Sequence, residues 1–138
     1  MPLKPCVFLP KRRTIVSACK SHLGNPGYKR HVRPLLPGCR VYHHTPEQDV
    51  RRAGAWVVLE YVGADLAAAT VGVFRLADSP VKEYRFVSRG LDMSRRYRVT
   101  FDSAGRSAVF SGAQLCTDGL PLRVAAPLMS ELLVIQQA

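Results

Sequence analysis

From Arg96 to Phe101 the chain alternates. Tyr97, Val99 and Phe101 fall on one side and Arg96, Arg98 and Thr100 on the other, the two-residue period of a strand with one dry and one wet face. Before it, Tyr84 and Phe86 alternate with Glu83 and Arg85. After it, Asp102-Ser103-Ala104-Gly105 supplies a turn in which Gly105 can take positive φ. The same reading predicts strands over about 56–62, 67–76, 82–87, 96–101, 107–110, 120–124 and 131–135. Turn signals separate them at 63–65, 78–80, 90–94, 102–105, 111–114, 118–119 and 125–127. Short strands at such intervals predict an all-β fold, an antiparallel sandwich of about seven to eight strands.

The strands are not equally two-sided. Leu120, Leu122 and Val124 alternate with Pro121 and Arg123, as at a sheet edge, where a proline costs no ladder bond. Thr70 to Phe74 and Leu132 to Ile135 instead offer apolar groups to both faces, so the sheet needs cover on its outer side. With Val71, Val73, Leu132 and Val134 turned inward, Thr70, Phe74, Leu133 and Ile135 face outward. A partner interface is then expected at Phe74, Leu133 and Ile135. Tyr28 to Leu36 reads as a short helix, bracketed by Gly27 and by Pro37-Gly38, and it can fold back onto that face through Val32, Leu35 and Leu36. A second copy of the chain is the other candidate cover.

Charge divides the chain. The net charge of +10 lies almost wholly in residues 1–46, where nine basic residues stand with no Asp or Glu; the remainder carries +1. Residues 1–27 hold Pro2, Pro5, Pro10 and Pro26 among these cations and predict a basic leader without fixed structure. The same prolines oppose the amphipathic helix of a transit peptide. Val7-Phe8-Leu9 is too short for a secretory signal, and no apolar run reaches the roughly 18 residues of a membrane span. Cys6, Cys19, Cys39 and Cys116 lack close pairing, which predicts reduced thiols and a cytoplasmic setting. The organisation read from the sequence is a leader over 1–27, a short helix over 28–40 and a sandwich domain over 41–138.

Five stretches carry a family resemblance in their order: Arg89-Gly90-Leu91-Asp92, Arg96-Tyr97-Arg98-Val99, Ser111-Gly112-Ala113-Gln114-Leu115, Asp118-Gly119-Leu120 and Ser130-Glu131-Leu132-Leu133. From near Tyr28 to the end, the chain resembles the carboxy-terminal β-sandwich domain of family 36 glycoside hydrolases, the α-galactosidase group. The resemblance implies a carbohydrate-metabolism setting and a sandwich packed beside a catalytic (β/α) barrel. Residues 28–40 then correspond to the end of the last barrel helix, and Val41-Tyr42-His43-His44 to the crossing into the sandwich. The family's catalytic aspartates lie on the barrel, upstream of anything matched, so no catalytic residue carries over. The leader departs from the family's pattern. Its composition is what a misplaced start or shifted frame yields, so a truncated or frameshifted gene stands as one expectation and a separately encoded accessory chain as another.

The residues themselves offer few sites. Glycoside hydrolysis takes two facing carboxyl groups, but Asp65, Asp78, Asp92, Asp102 and Asp118 all sit in turns, where a short acceptor side chain bonds nearby amides. His43 and His44 are adjacent in an extended segment and point apart. Cys6, Cys19, His22, His31 and Cys39 lack the tight pairs of a zinc site, so neither metal nor cofactor is expected. Trp56, Tyr42 and Tyr61 are the candidates for stacking on a sugar, which would make the sandwich a carbohydrate-binding module; Trp56 reads equally as a core anchor. The alternative of a basic nucleic-acid-binding protein rests on Arg12-Arg13, Lys29-Arg30, Arg33 and Arg40, with Arg85, Arg89, Arg95, Arg96 and Arg98 extending the patch. No recognition helix or RNA-binding signature accompanies them. Nucleic-acid contact is therefore expected only as non-specific attraction to the leader.

Overall fold

The computed structural model describes residues 28–45, 56–76, 81–126 and 129–138. Eight strands form among them: β1 (Arg40–His43), β2 (Trp56–Val62), β3 (Ala68–Arg75), β4 (Glu83–Phe86), β5 (Arg96–Phe101), β6 (Arg106–Ser111), β7 (Leu120–Arg123) and β8 (Ser130–Gln137). They make an all-β antiparallel sandwich, with a six-stranded sheet in the order β1-β2-β3-β8-β5-β6 and a two-stranded sheet of β4 and β7. The expected leader over 1–27 and the turn at 78–80 lie outside the described residues.

Period-two alternation becomes a buried face where β2 and β3 run side by side. Trp56, Val58 and Val62 stand opposite Arg75, Val73 and Ala69, and all six are buried. Across β3, Val71 pairs with Leu133 and Ala69 with Ile135; on the far side of β8, Ile135 pairs with Val99. Phe86, Leu120 and Leu122 from the small sheet close the same core. Arg75, 4% exposed at the edge of this core, donates through Nη1 to the carbonyls of Val124 (3.0 Å) and Ala125 (3.4 Å), tying the large sheet to the chain leaving β7.

The register reverses one expectation. Leu133 and Ile135 face inward at 0% exposure, so they are core residues and not part of an outward interface; Leu132 and Val134 take the outer face. In a strand apolar on both sides nothing local marks the inner set, and a one-residue slip exchanges the two. The pairing of Gly72 with Leu132 and of Thr70 with Val134 settles the phase.

Two local elements also differ. The turn expected at 111–114 is instead α1 (Gly112–Thr117). Ser111 Oγ accepts from the Gln114 amide at 3.1 Å and Gln114 Oε1 accepts from the Ser111 amide at 3.0 Å, a capping box that satisfies donors at the helix start. The helix seats Leu115 in the core at 0% exposure. At the other end, the helix expected over 28–36 winds as a single π turn, Tyr28–Val32, followed by non-helical turns. Pro34 has no amide hydrogen to continue an α-helical ladder, and its ring clashes with the carbonyl four residues back.

β4 and β7 each have one neighbour, so Pro121 sits exposed on an edge strand, as expected. Among the described residues no helix is long and apolar enough to cross a membrane.

Candidate functional site

Two features stand apart from ordinary core packing: a buried polar network on the inner face, and a partly covered apolar outer face. The first grows from Glu60, at an inward position of β2 between Val58 and Val62, with 0% exposure. A carboxylate in such a place needs donors. His44 Nε2 donates to Oε2 at 2.8 Å, Ser88 Oγ donates to Oε1 at 2.5 Å and the Arg89 amide donates to Oε2 at 3.0 Å. Burial pushes the Glu60 carboxyl up, but the bonds from His44, Ser88 and the Arg89 amide outweigh it and hold the group below the ordinary carboxylate range.

Serine, histidine and a carboxylate in contact invite comparison with a hydrolytic triad. There the histidine must take the serine's proton. Here Ser88 and His44 both donate to Glu60, so the carboxylate is the hub of an anchor. Nearby Cys116 is no better as a nucleophile, since burial pushes its thiol up, away from the thiolate. What the network does is fasten the segment after β4 to β1 and β2.

That segment is fixed at further points. Ser88 Oγ accepts from the Leu91 amide at 3.3 Å; the Asp92 amide donates to Tyr97 Oη at 3.1 Å, and Tyr97 Oη donates to the Leu66 carbonyl at 2.9 Å. A Cβ on Gly90 would lie 2.5 Å from Val62 Cγ2, so only glycine lets the segment pass this close to β2. A Cβ on Gly112 would collide with the Asp92 carbonyl, which lets the same segment pack on the start of α1.

The second feature is the outer face of the large sheet. β2 contributes half-buried Val57, Leu59 and Tyr61, and β3 contributes Thr70, Gly72 and half-buried Phe74. Leu132 and Val134 of β8 are covered by Val32, the three forming a small cluster separate from the main core. Leu35 is half-buried, its Cδ2 2.9 Å from the place a Cβ on Gly63 would occupy, while Leu36 remains 40% exposed. The expected fold-back is thus made chiefly by Val32.

The remaining sequence-predicted residues scatter. Trp56 is buried at 3% with its ring 5.8 Å from that of Tyr84, which leaves no open face for a sugar. Tyr42 lies inward opposite Glu60, and Tyr61 lies on the opposite face of the sheet. The three aromatics therefore do not line one site. His43 is exposed and His44 buried against Glu60 and Phe86, so the pair points apart. No group of three metal-ligating side chains occurs among the described residues. The carboxylates serve structure: Asp65 accepts from the Ala67 amide at 3.0 Å, Asp92 from the Ser94 amide at 2.9 Å, and Glu131 from the Ser103 amide at 3.0 Å. Glu83 pairs with Arg123 at 2.9 Å on the surface.

The comparisons with known proteins fit this geometry. The family model of the glycosyl hydrolase family 36 C-terminal domain matches residues 56–135, more than half the chain. The chain belongs to that family. Solved structures share the fold of this family 36 C-terminal domain: an α-galactosidase from Geobacillus stearothermophilus has 24% identity and a TM-score of 0.59 over 78% of this chain and 14% of its own. An α-galactosidase from Lactobacillus brevis has 18% identity and a TM-score of 0.62 over 99% and 18%; the galactosidase domain of an α-galactosidase–sucrose kinase has 19% and 0.58 over 99% and 17%. The chain spans under a fifth of the length of these structures. No curated protein matches.

The stretches that carried the resemblance turn out to be the anchoring ones. Arg89 to Asp92 holds the Glu60 contact, the close approach of Gly90 and the Tyr97 bond, and Ser111 to Leu115 holds the capping box and the buried leucine. Sequence reasoning missed Glu60, His44 and Ser88 as a unit. The available signal was a lone carboxylate in phase with Trp56, Val58 and Val62 on an otherwise apolar strand face.

Proposed function

We propose that the chain serves as a non-catalytic accessory domain in carbohydrate metabolism, packing the outer face of its large sheet against a catalytic barrel of the α-galactosidase type. The observation that carries this reading is the division of labour between the two faces. Polar groups at the inner face are consumed in anchoring, while the outer face keeps half-buried Val57, Leu59, Tyr61 and Phe74 beside exposed Val41. Contiguous apolar surface of this kind marks an interaction site. The described carboxylates sit in turns, at the α1 cap, in a surface pair, on β8 bonded to the Ser103 amide or at the Glu60 hub, and none faces a second across a cleft as hydrolysis requires. Residues 28–40 would correspond to the end of the barrel's last helix. Free Cys39 and Cys116 accord with a reducing, cytoplasmic setting.

The test has two parts. The purified chain alone should release no nitrophenol from a nitrophenyl α-galactoside. It should co-purify with the barrel of the Lactobacillus brevis α-galactosidase expressed without its own matching C-terminal segment. Turnover that disappears on mutation of the chain's own Asp or Glu would refute the non-catalytic reading, and a barrel that ignores the chain would refute the packing.

A further inference from the structure

The registers give the outer face a one-signed charge pattern. Its strand positions include Val57, Leu59 and Tyr61 on β2, Phe74 on β3, Leu132, Val134 and Gln136 on β8, and Val109 on β6. The only ionised side chains at outward strand positions are Arg96 and Arg98 of β5, both exposed; no Asp or Glu occupies one among the described residues. Lys29 and Arg30 of the π turn that covers Leu132 and Val134 through Val32, and Arg33 directly after it, are exposed. None of these five cations has an ion-pair partner among the described residues. Of the described carboxylates, Asp102, in the turn after β5, stands next to Leu132 at the rim of this face; Glu60 and Glu131 hold inward positions, Asp65 and Asp92 lie in turns, Asp118 caps α1 and Glu83 is on the small sheet.

We infer that the outer face docks a protein surface that sets carboxylates around an apolar ridge, and that this partner is not a second copy of the chain. The inference rests on the docking reading above and adds the chemistry of the partner. Two copies meeting through this face would bring five cations and, at its rim, the single carboxylate of Asp102 from each side, so repulsion would dominate the charge contacts. A foreign surface bearing carboxylates opposite Arg96 and Arg98 converts the same contacts into attraction and steering, while Leu59, Tyr61 and Phe74 supply the apolar burial. Phosphate backbones would satisfy the arginines but leave those apolar groups without a dry partner. A protein is therefore favoured over a nucleic acid.

The simplest surface of the required chemistry is the chain itself with the arginines reversed. Arg96→Glu with Arg98→Glu keeps the apolar centre and adds carboxylates at exposed positions, where folding is undisturbed and is checked by melting. In sedimentation at about 50 mM salt, wild type alone should be a monomer, and its mixture with the variant should contain a one-to-one dimer. That dimer should weaken about tenfold or more near 500 mM salt, as screened ion pairs do. It should also be lost when Phe74→Ser is added to either component. Wild type that dimerises alone at low salt through Phe74, a mixture that stays monomeric, or a salt-insensitive dimer would overturn the inference. So would duplex-DNA binding by the full chain that Arg96→Glu with Arg98→Glu abolishes while the leader is intact, because the face would then belong to nucleic acid. None of these readouts involves a barrel. A barrel that co-purifies regardless of the arginine reversal would leave the accessory reading standing and remove only this one.

Discussion

On the inner face of the large sheet, β3 presents Ala69, Val71 and Val73 and β8 presents Leu133 and Ile135, all at 0% exposure beneath the small sheet and α1. On the outer face the same two strands present Thr70, Gly72, Phe74, Leu132 and Val134, and among the described residues one turn covers Leu132 and Val134 through Val32. Strand composition scarcely distinguishes the two sides. What distinguishes them is how completely the rest of the chain is committed to each. The inner side has received a second sheet, a capped helix and a hydrogen-bonded segment pinned to Glu60, whereas the outer side has received, among the described residues, a single turn.

The largest expected effect sets the two faces against each other on adjacent residues. Leu133→Ala should cost about 2–5 kcal/mol of unfolding free energy, because the inner core is closed on all sides and the cavity cannot collapse. Leu132→Ala should cost only about 1–2 kcal/mol, since the thin cover of Val32 can relax onto it. Denaturant titration of both variants reads the difference, and equal or inverted values would reverse the face assignment.

A second contrast concerns the anchor. Removing the Glu60 carboxyl strands the hydroxyl of Ser88 and the amide of Arg89 in a dry site, so Glu60→Ala should cost about 3 kcal/mol. Glu60→Gln, which keeps the shape and one carbonyl acceptor, should cost less. Hydrogen exchange at Ser88 to Asp92 should rise in the Ala variant before the strands loosen. Uniform loosening would mean that Glu60 acts through the whole core.

Acid should act through the same group. The folded Glu60 carboxyl titrates below its unfolded value, so the stabilisation is fully present above the unfolded value of about 4.3 and is lost as pH falls through the folded one. Melting temperature followed downward from pH 6 should therefore drop below about pH 4, and the drop should be shallower in Glu60→Gln. An identical acid profile for the two proteins would assign the acid sensitivity to other carboxyls.

The smallest effect belongs to the outer face. The Thr70 hydroxyl is buried, at 1% residue exposure, without a hydrogen-bond partner among the described residues, so Thr70→Val should change stability by no more than about 0.5 kcal/mol, toward stabilisation. A loss of about 2 kcal/mol in thermal unfolding would show that the hydroxyl is engaged after all.

Strand positions were legible from alternation because one-sided strands advertise their phase: Arg96 to Phe101 and Leu120 to Arg123 stand where the pattern put them. The phase of β8 was not legible, since Leu132 to Ile135 is apolar at every position and only pairing with β3 selects the inner set. The capping-box spacing of Ser111 and Gln114 was present in the sequence, but the neighbouring glycine suggested a turn. The Glu60 network joins residues 16 and 28 positions apart, contacts that no local period encodes. The outer face could be inferred as needing cover, while its charge pattern required the strand registers.

On the proposed function, the outer face docks a barrel while the inner face holds the fold together. The most direct measurement co-expresses the full chain with the Lactobacillus brevis α-galactosidase lacking its own C-terminal segment, and records α-galactosidase activity in the soluble fraction. The comparison variant, Leu59→Asp with Phe74→Asp, alters only outward side chains and must first show an unchanged fold by melting and exchange of the core amides. Activity recovered with the wild-type chain and not with the folded variant is the predicted result. Equal recovery with both, or with neither, contradicts the claim.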